Sequence, residues 1–520
     1  MNFNSFEFLF VLLPVTFVLY HLLYDRMFVV AKAVLLLASL TFYAWWNPPY
    51  TFLILGSIAG NYTIAHLICG RGGEAASRGF LIAGIAANVL ALCYFKYADF
   101  FITSMNGLLA TDWPVWRVLL PIGVSFFSFT QIWFLIEVYR RKQSVPVPLD
   151  YALFVAFFPH LIAGPILEYR EIENLFRHRV RDEFWIDVSI GMSAIGIGLL
   201  KKMCGDVMGD FVQPAFAAAR EGHALTLIEA WSAALCFGTQ IYLDFSGYTD
   251  MAIGLARLFQ VRFPTNFYSP YKAASIIEFW HRWHTTLSRF LRDALYRPLG
   301  GNRKGRFRRD INLMLTMLLG GLWHGANWTF VAWGGLHGAY LVFNHRLREA
   351  RGLPSGSRGA RVFGFVVTFI AVTFAWVLFR AESFSTAFVF FKAMLGMSGI
   401  SLPADYAPKL GVLVQYLRAI GINFAPMPFW AGRDVMQWLT PALLVIFLCP
   451  NTTQIFERYK VATVPLPVNP ADAIASEGLL SSLLRWQPTL FWRGAVACML
   501  MVGLMMLLAG GSDEFIYFQF

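Results

Sequence analysis

An all-α, polytopic membrane protein is the fold class the sequence predicts, and three observations predict it. The 520 residues are 57% hydrophobic and only 14% charged, with a mean hydropathy of +0.55, which excludes an ordinary soluble globule. The apolar residues fall in runs of helical length, about ten of them approaching the roughly 20 residues that cross a bilayer. The basic residues lie in short loops between those runs, where they set orientation and meet anionic lipid headgroups. The net charge of +11 is therefore a topology signal, and no nucleic-acid partner is expected.

Taken in order, residues 8–20 form a first span, retained rather than cleaved, because no basic region precedes it and no small-residue cleavage site follows. Residues 28–46 form a second, ending in Trp45-Trp46-Asn47-Pro48-Pro49, an aromatic belt followed by a turn. Residues 52–69 return to a loop with Arg71 and Arg78, and residues 80–101 leave again. Residues 105–116 carry almost no positive charge, and residues 118–138 return to Tyr139-Arg140-Arg141-Lys142. By the positive-inside rule the N-terminus is extracytoplasmic.

Residues 157–166, around Pro159-His160 and Gly164-Pro165, are too short and too broken for a span and read as a re-entrant segment. Residues 186–200 and 227–243 read as a span pair, followed by Asp244 and Asp250 at a membrane boundary. Residues 278–304 are the most basic stretch and read as an amphipathic helix on the cytoplasmic surface. Its arginines, Arg282 among them, suit an anionic, phosphate-bearing donor. Residues 362–379, 435–449 and 495–509 are the last spans, with outer loops over residues 380–432. The C-terminal Phe515-Ile516-Tyr517-Phe518-Gln519-Phe520 then lies outside. We read residues 1–520 as one integral-membrane domain without an internal repeat.

The chain centres on Leu322-Trp323-His324-Gly325-Ala326-Asn327-Trp328, inside the apolar stretch 312–343. Basic clusters flank both ends, so the stretch turns back as a hairpin, broken near Gly320-Gly321 and His324-Gly325. Irregular backbone at membrane depth is tolerated only in a protein interior or along a cavity. An ionisable residue there is a functional-site hypothesis, and histidine suits proton transfer at neutral pH. The structural alternative is a histidine bonded across a helix interface. His284 is the second candidate, with an interfacial side chain as its alternative. His160, His281 and His337 read as structural. The six cysteines are scattered and none forms C-x-x-C, so neither a disulfide framework nor a metal site is expected. General-base activation of a hydroxyl is the simplest chemistry for such a site. A transporter with a histidine proton relay and no acyl chemistry is the alternative, although it would be expected to show an internal repeat.

Four stretches carry a family resemblance: residues 244–254 (Asp244-Phe245-Ser246-Gly247-Tyr248-Thr249-Asp250 onward), 278–284 (ending Arg282-Trp283-His284), 299–303 and 320–328. Together with Phe158-Pro159-His160 through Pro165 they resemble the membrane-bound O-acyltransferases, in particular the bacterial branch that O-acetylates exported polysaccharides such as alginate. The resemblance covers most of the chain; His281 departs from it, since relatives often have arginine there. It implies a ring of about ten tilted helices and re-entrant segments around a central funnel. It implies that His324 is the essential histidine and His284 the second one. Trp323, Asn327, Trp328, Asp244 and Arg282 are expected to line the cavity or bind substrate. It further implies an inner-membrane location, no bound cofactor, acetyl-CoA as donor substrate, and a periplasmic SGNH-like acetyltransferase partner within an exopolysaccharide machinery. Direct acylation of a lipid or protein hydroxyl is a third reading, disfavoured by this motif set. The last six residues resemble the end of the small peptide that accompanies the related D-alanyl transferase, which makes Tyr517 a candidate acyl carrier. Anchoring of an aromatic terminus at the interface is its structural alternative.

Overall fold

The computed structural model describes residues 3–70, 73–141, 144–177, 183–351, 357–463, 482–508 and 515–516. Nearly all of the regular structure is helical, as expected. Pro48–Cys69, Gly73–Leu109, Phe184–Arg220 and Arg358–Arg380 are long and apolar enough to cross a membrane, and Phe8–Tyr24, Phe28–Ala44, Phe384–Met394 and Leu490–Met506 are shorter apolar helices. Other helices of spanning length, such as Leu227–Leu258, are less apolar because they carry polar groups that face the protein. The segment 395–432 adds one short parallel strand pair, Ile400–Pro403 with Ile422–Ala425.

The centre is the long pair Phe184–Arg220 and Leu227–Leu258. The sequence reading stopped these helices at residues 200 and 243. Both continue because their ionised groups neutralise one another across the interface. Lys202 pairs with Asp206 and, at 3.2 Å, with Asp244, while Lys201 meets Asp250 at 2.6 Å. Asp244 thus lies at mid-helix rather than at a boundary. The backbones can approach because glycines face each other: a Cβ on Gly198 would sit 2.5 Å from the Gly247 carbonyl oxygen.

The segment expected on the surface is buried. Ile276–Arg282 and Thr285–Phe290 are two short helices broken at His284, with Phe279, Trp283, His284 and Leu287 at 0–1% exposure. Most of its arginines are neutralised locally: Arg282 by Glu278, Arg289 by Glu171, and Arg292 and Arg297 by Asp293. Arg303, Lys304 and Arg308 are exposed and have no ion pair among the described residues, so a docking surface for an anion is narrower than composition suggests.

Described residues near both ends of the sequence pack inward. Phe3 and Phe515 stack on Tyr248, with centroids at 4.6 and 4.5 Å. The Ile516 N–H donates to Asp244 Oδ2 at 2.9 Å. The charge pattern puts this terminus outside, yet its first two aromatic-motif residues are buried within the bundle. Tyr517 lies outside the described residues.

The Gly198–Gly247 approach makes a sharp test. Gly198→Val is expected to destabilise the protein by about 1–3 kcal/mol through overpacking. Gly60→Ala, where an added Cβ meets nothing within 4 Å, is expected to be neutral or to gain up to about 1 kcal/mol. Thermal unfolding in detergent separates the two, and equal midpoints would contradict the close packing.

Candidate functional site

The hairpin forms where the sequence places it. Gly305–His324 runs from the basic end, and 20 residues of helix amount to about 30 Å. It stops at His324, and Trp328–Arg351 carries the chain back. The break falls at Gly325, where a Cβ would lie 2.2 Å from the Phe330 ring. Gly320 and Gly321 do not break the helix. Gly321 instead lets the two arms touch, since a Cβ there would meet the Phe330 carbonyl oxygen at 2.3 Å. The open ends of the hairpin are tied by Asp310, which takes Arg309 at 2.8 Å and Arg346 at 2.7 Å.

Ending a helix at membrane depth leaves its last carbonyls without intrahelical donors. Here a neighbouring helix supplies them. Lys96 Nζ donates to the carbonyls of Trp323 (2.6 Å) and His324 (3.2 Å), and the Tyr97 hydroxyl donates to that of Leu322 (3.0 Å). Both donors come from the wide turn Cys93–Tyr97 within the helix 73–109. Such π-turns are often found at functional sites.

His324 is 4% exposed and packs edge-on against Trp333 and Phe379, with centroids at 5.1 and 5.2 Å. It also lines a chamber of about 270 Å³ together with Lys96, Trp46, Trp323, Ser125 and Phe126. Much of the chamber wall comes from residues 119–126, which connect helices at the end of the bundle away from the basic loops.

His284 is fully buried, with its ring centroid 6.0 Å from that of Trp323. It sits in the left-handed region at φ +43°, a conformation that a non-glycine residue adopts only when its surroundings hold it there. Its Nδ1 lies 3.0 Å from Asn266 Oδ1, which also accepts from the Thr286 hydroxyl at 2.9 Å. The Asn266 amide nitrogen faces Thr249 Oγ1 at 3.5 Å, consistent with that assignment of the amide. An amide oxygen only accepts, so Nδ1 carries the proton and Nε2 keeps its lone pair. Nε2 has no hydrogen-bond partner among the described residues.

The remaining expected residues separate. Trp323 packs against both histidines and lines the chamber. Asn327 and Trp328 do not line the chamber. Asn327 accepts from the Thr329 N–H and donates to the Glu382 carbonyl, while Trp328 is 53% exposed and donates to Ser104. Both therefore secure the turn. Arg282 holds Glu278 at 2.6 Å and the Tyr268 carbonyl at 3.4 Å, a structural role. Asp244 reaches the site through its neighbour Phe245, whose ring meets His284 at 4.8 Å. His160 donates to the Phe154 carbonyl at 2.8 Å, and His281 is exposed. No group of metal-binding residues occurs among the described residues.

Sequence reasoning missed Lys96, Tyr97 and Asn266. Lys96 had a signal: it is a single lysine in the apolar run 80–101, where a charge is costly unless it has a task. Asn266 had none, because its partner His284 is 18 residues away.

Residues 116–384 match the family model for membrane-bound O-acyltransferases. The chain is 34% identical over 553 residues to the peptidoglycan O-acetyltransferase of Helicobacter pylori, covering 100% of this chain and 97% of that protein. It is 41% identical over 403 residues to the probable alginate O-acetylase of Pseudomonas aeruginosa, covering 76% of this chain and 75% of the relative. With the corresponding protein of Pseudomonas putida it shares 36% over 530 residues and the full length of both.

The Asn266 contacts yield a prediction. Asn266→Ala removes the acceptor of His284 Nδ1–H and Thr286 O–H, and is expected to cost about 1–3 kcal/mol. Asn266→Asp keeps an acceptor oxygen and should recover most of that loss. Equal thermal midpoints for the two variants would remove the tautomer argument.

Proposed function

The chain belongs to the membrane-bound O-acyltransferase family, and from that premise we propose that it takes acetyl from a cytoplasmic thioester, acetyl-CoA, and passes it across the inner membrane for O-acetylation of an exported polysaccharide. The enzyme class follows from the family. The sugar polymer follows from relatives named for alginate and peptidoglycan. The observation that carries the reading is the pair of buried histidines that both pack on Trp323, with His324 opening on the chamber. The transporter reading explains the histidine alone and gives no reason for this family match.

In this reading His324 is the general base. It takes the proton of an acceptor hydroxyl as the oxygen attacks the thioester carbonyl, and returns the proton to the departing sulfur. His284 acts on the donor. With Nδ1 protonated toward Asn266, its Nε2 accepts a hydrogen bond, so it orients an N–H or O–H of the donor rather than polarising the carbonyl. Trp323 holds both rings in place. The acetyl group then leaves on the outer side for a periplasmic SGNH-like acetyltransferase that completes polymer modification.

Tyr517 is proposed as the acyl carrier between these steps. What supports it is the seat of the residues just before it: Phe515 packs on Tyr248 and Phe245, and Phe245 touches His284. A phenol ionises near pH ~10 and needs a base to attack, which His324 supplies.

Two measurements test this. Cells carrying His324→Ala, with membrane insertion verified, should export polymer that has lost its acetyl groups, a drop of about 10²-fold or more in transfer rate. Loss of the polymer itself would return the transporter reading, and unchanged acetylation would remove His324 as base. Tyr517→Phe should likewise leave the polymer unacetylated; full acetylation in that variant would end the carrier role and leave the histidine chemistry standing.

A further inference from the structure

Lys96 does more than end a helix, and this inference rests on the acyl-transfer reading above. Its ammonium has three N–H donors. Two are spent on the Trp323 and His324 carbonyls. The third has no hydrogen-bond partner, and no carboxylate pairs with Lys96, among the described residues. The same side chain lines the chamber that His324 opens on. It is also held by the face of Trp323, 5.9 Å from the ring centroid.

Capping alone does not call for a charge. The adjacent carbonyl of Leu322 is satisfied by the neutral hydroxyl of Tyr97. A cation at membrane depth costs a few kcal/mol even on the mildest scales. The helix dipole returns about 0.3–1 kcal/mol, up to ~2 in a partly buried position. A neutral donor would cap the helix more cheaply, so the charge has another task, and the chamber beside His324 is where it is exposed to a ligand.

We propose that Lys96 is a further catalytic residue, whose free N–H and positive charge hold the oxyanion formed during acyl transfer in the chamber. The step balances as follows. The acceptor oxygen forms a bond to the thioester carbonyl carbon, and the carbonyl π electrons move onto its oxygen. Lys96 donates a hydrogen bond to that oxygen and stays protonated throughout. His324 receives the acceptor's proton. The oxyanion then collapses, the C–S bond breaks, and the proton passes from His324 to the thiolate. A preorganised donor of this kind contributes about 10²–10³-fold in rate when its removal is measured in other acyl-transfer enzymes.

The test uses the full-length purified protein with acetyl-CoA as donor, following thiol release. Lys96→Met is expected to lower kcat about 10²-fold or more with KM for acetyl-CoA little changed. Lys96→Arg, which keeps charge and donors, should recover at least about tenfold of that loss. Tyr97→Phe removes a neighbouring cap bond without touching the charge, and is expected to lower thermal stability with only about a threefold loss of kcat. A Lys96→Met protein that loses no more kcat than Tyr97→Phe, or whose loss lies in KM alone, would show that the lysine merely caps the helix. His324→Ala serves as reference. If that variant is inactive while Lys96→Met keeps its kcat, only this inference fails. If His324→Ala keeps the wild-type rate, the base assignment fails and takes this inference with it.

Discussion

A helix that ends inside a bilayer must hand its last carbonyl groups to the protein, because no water is there to receive them. The Gly305–His324 helix meets that demand through Lys96 and Tyr97, which reach its terminal carbonyls from another helix. Much of the local structure follows. The wide turn Cys93–Tyr97 exists where the two donors must point the same way. Gly325 lets the chain turn beneath the Phe330 ring. Gly321 lets the returning arm pack closely enough to bury Trp333 against His324. Position and orientation of the histidine are thus set by backbone satisfaction before any chemistry is considered.

A second set of buried polar groups holds the opposite side. Lys201 and Lys202 are adjacent on one helix, and each neutralises a carboxylate on the facing one. Buried pairs of this kind are weak evidence for stability, since desolvation offsets their attraction. Their value here is registry. They fix how two helices of 37 and 32 residues slide past each other, and they leave Asp244 Oδ2 facing the Ile516 N–H. The same register puts Phe245 against His284 and Tyr248 between Phe3 and Phe515. Phe3, Phe515 and Ile516 are therefore anchored to the helix that supports the second histidine.

The hairpin was legible because its signals are local: a histidine and glycines in an apolar run, with arginines at both ends. The long pair was read too short for a physical reason. A carboxylate in sequence looks like a boundary, and only the facing lysine makes it an interior residue. The segment around His284 was read as a surface helix because its arginines are numerous; their partners, Glu171 and Asp293 among them, lie partly in other stretches. Asn327 and Trp328 flank the histidine in sequence but point away from the chamber, since the turn reverses direction between them and His324. Lys96 reaches its carbonyls across 227 residues of chain, a pairing no local pattern records.

Under the proposed function, in which acetyl is taken from one face and delivered to the other, the placement of Trp323 has a consequence. An open path between the faces would admit water to the thioester and leak ions. Trp323 is 6% exposed, packs against His284 and lines the chamber together with His324. Phe126, Phe129 and His284 surround its ring at 5.5–6.0 Å. Under the proposed reaction, the thioester sulfur and the acceptor oxygen are bonded to one carbon in the tetrahedral intermediate, so both come within reach of His324, which takes the proton from one and returns it to the other. The positive charge of Lys96 then lines the same chamber as His324, where the oxyanion must point while the thiol withdraws the way it came.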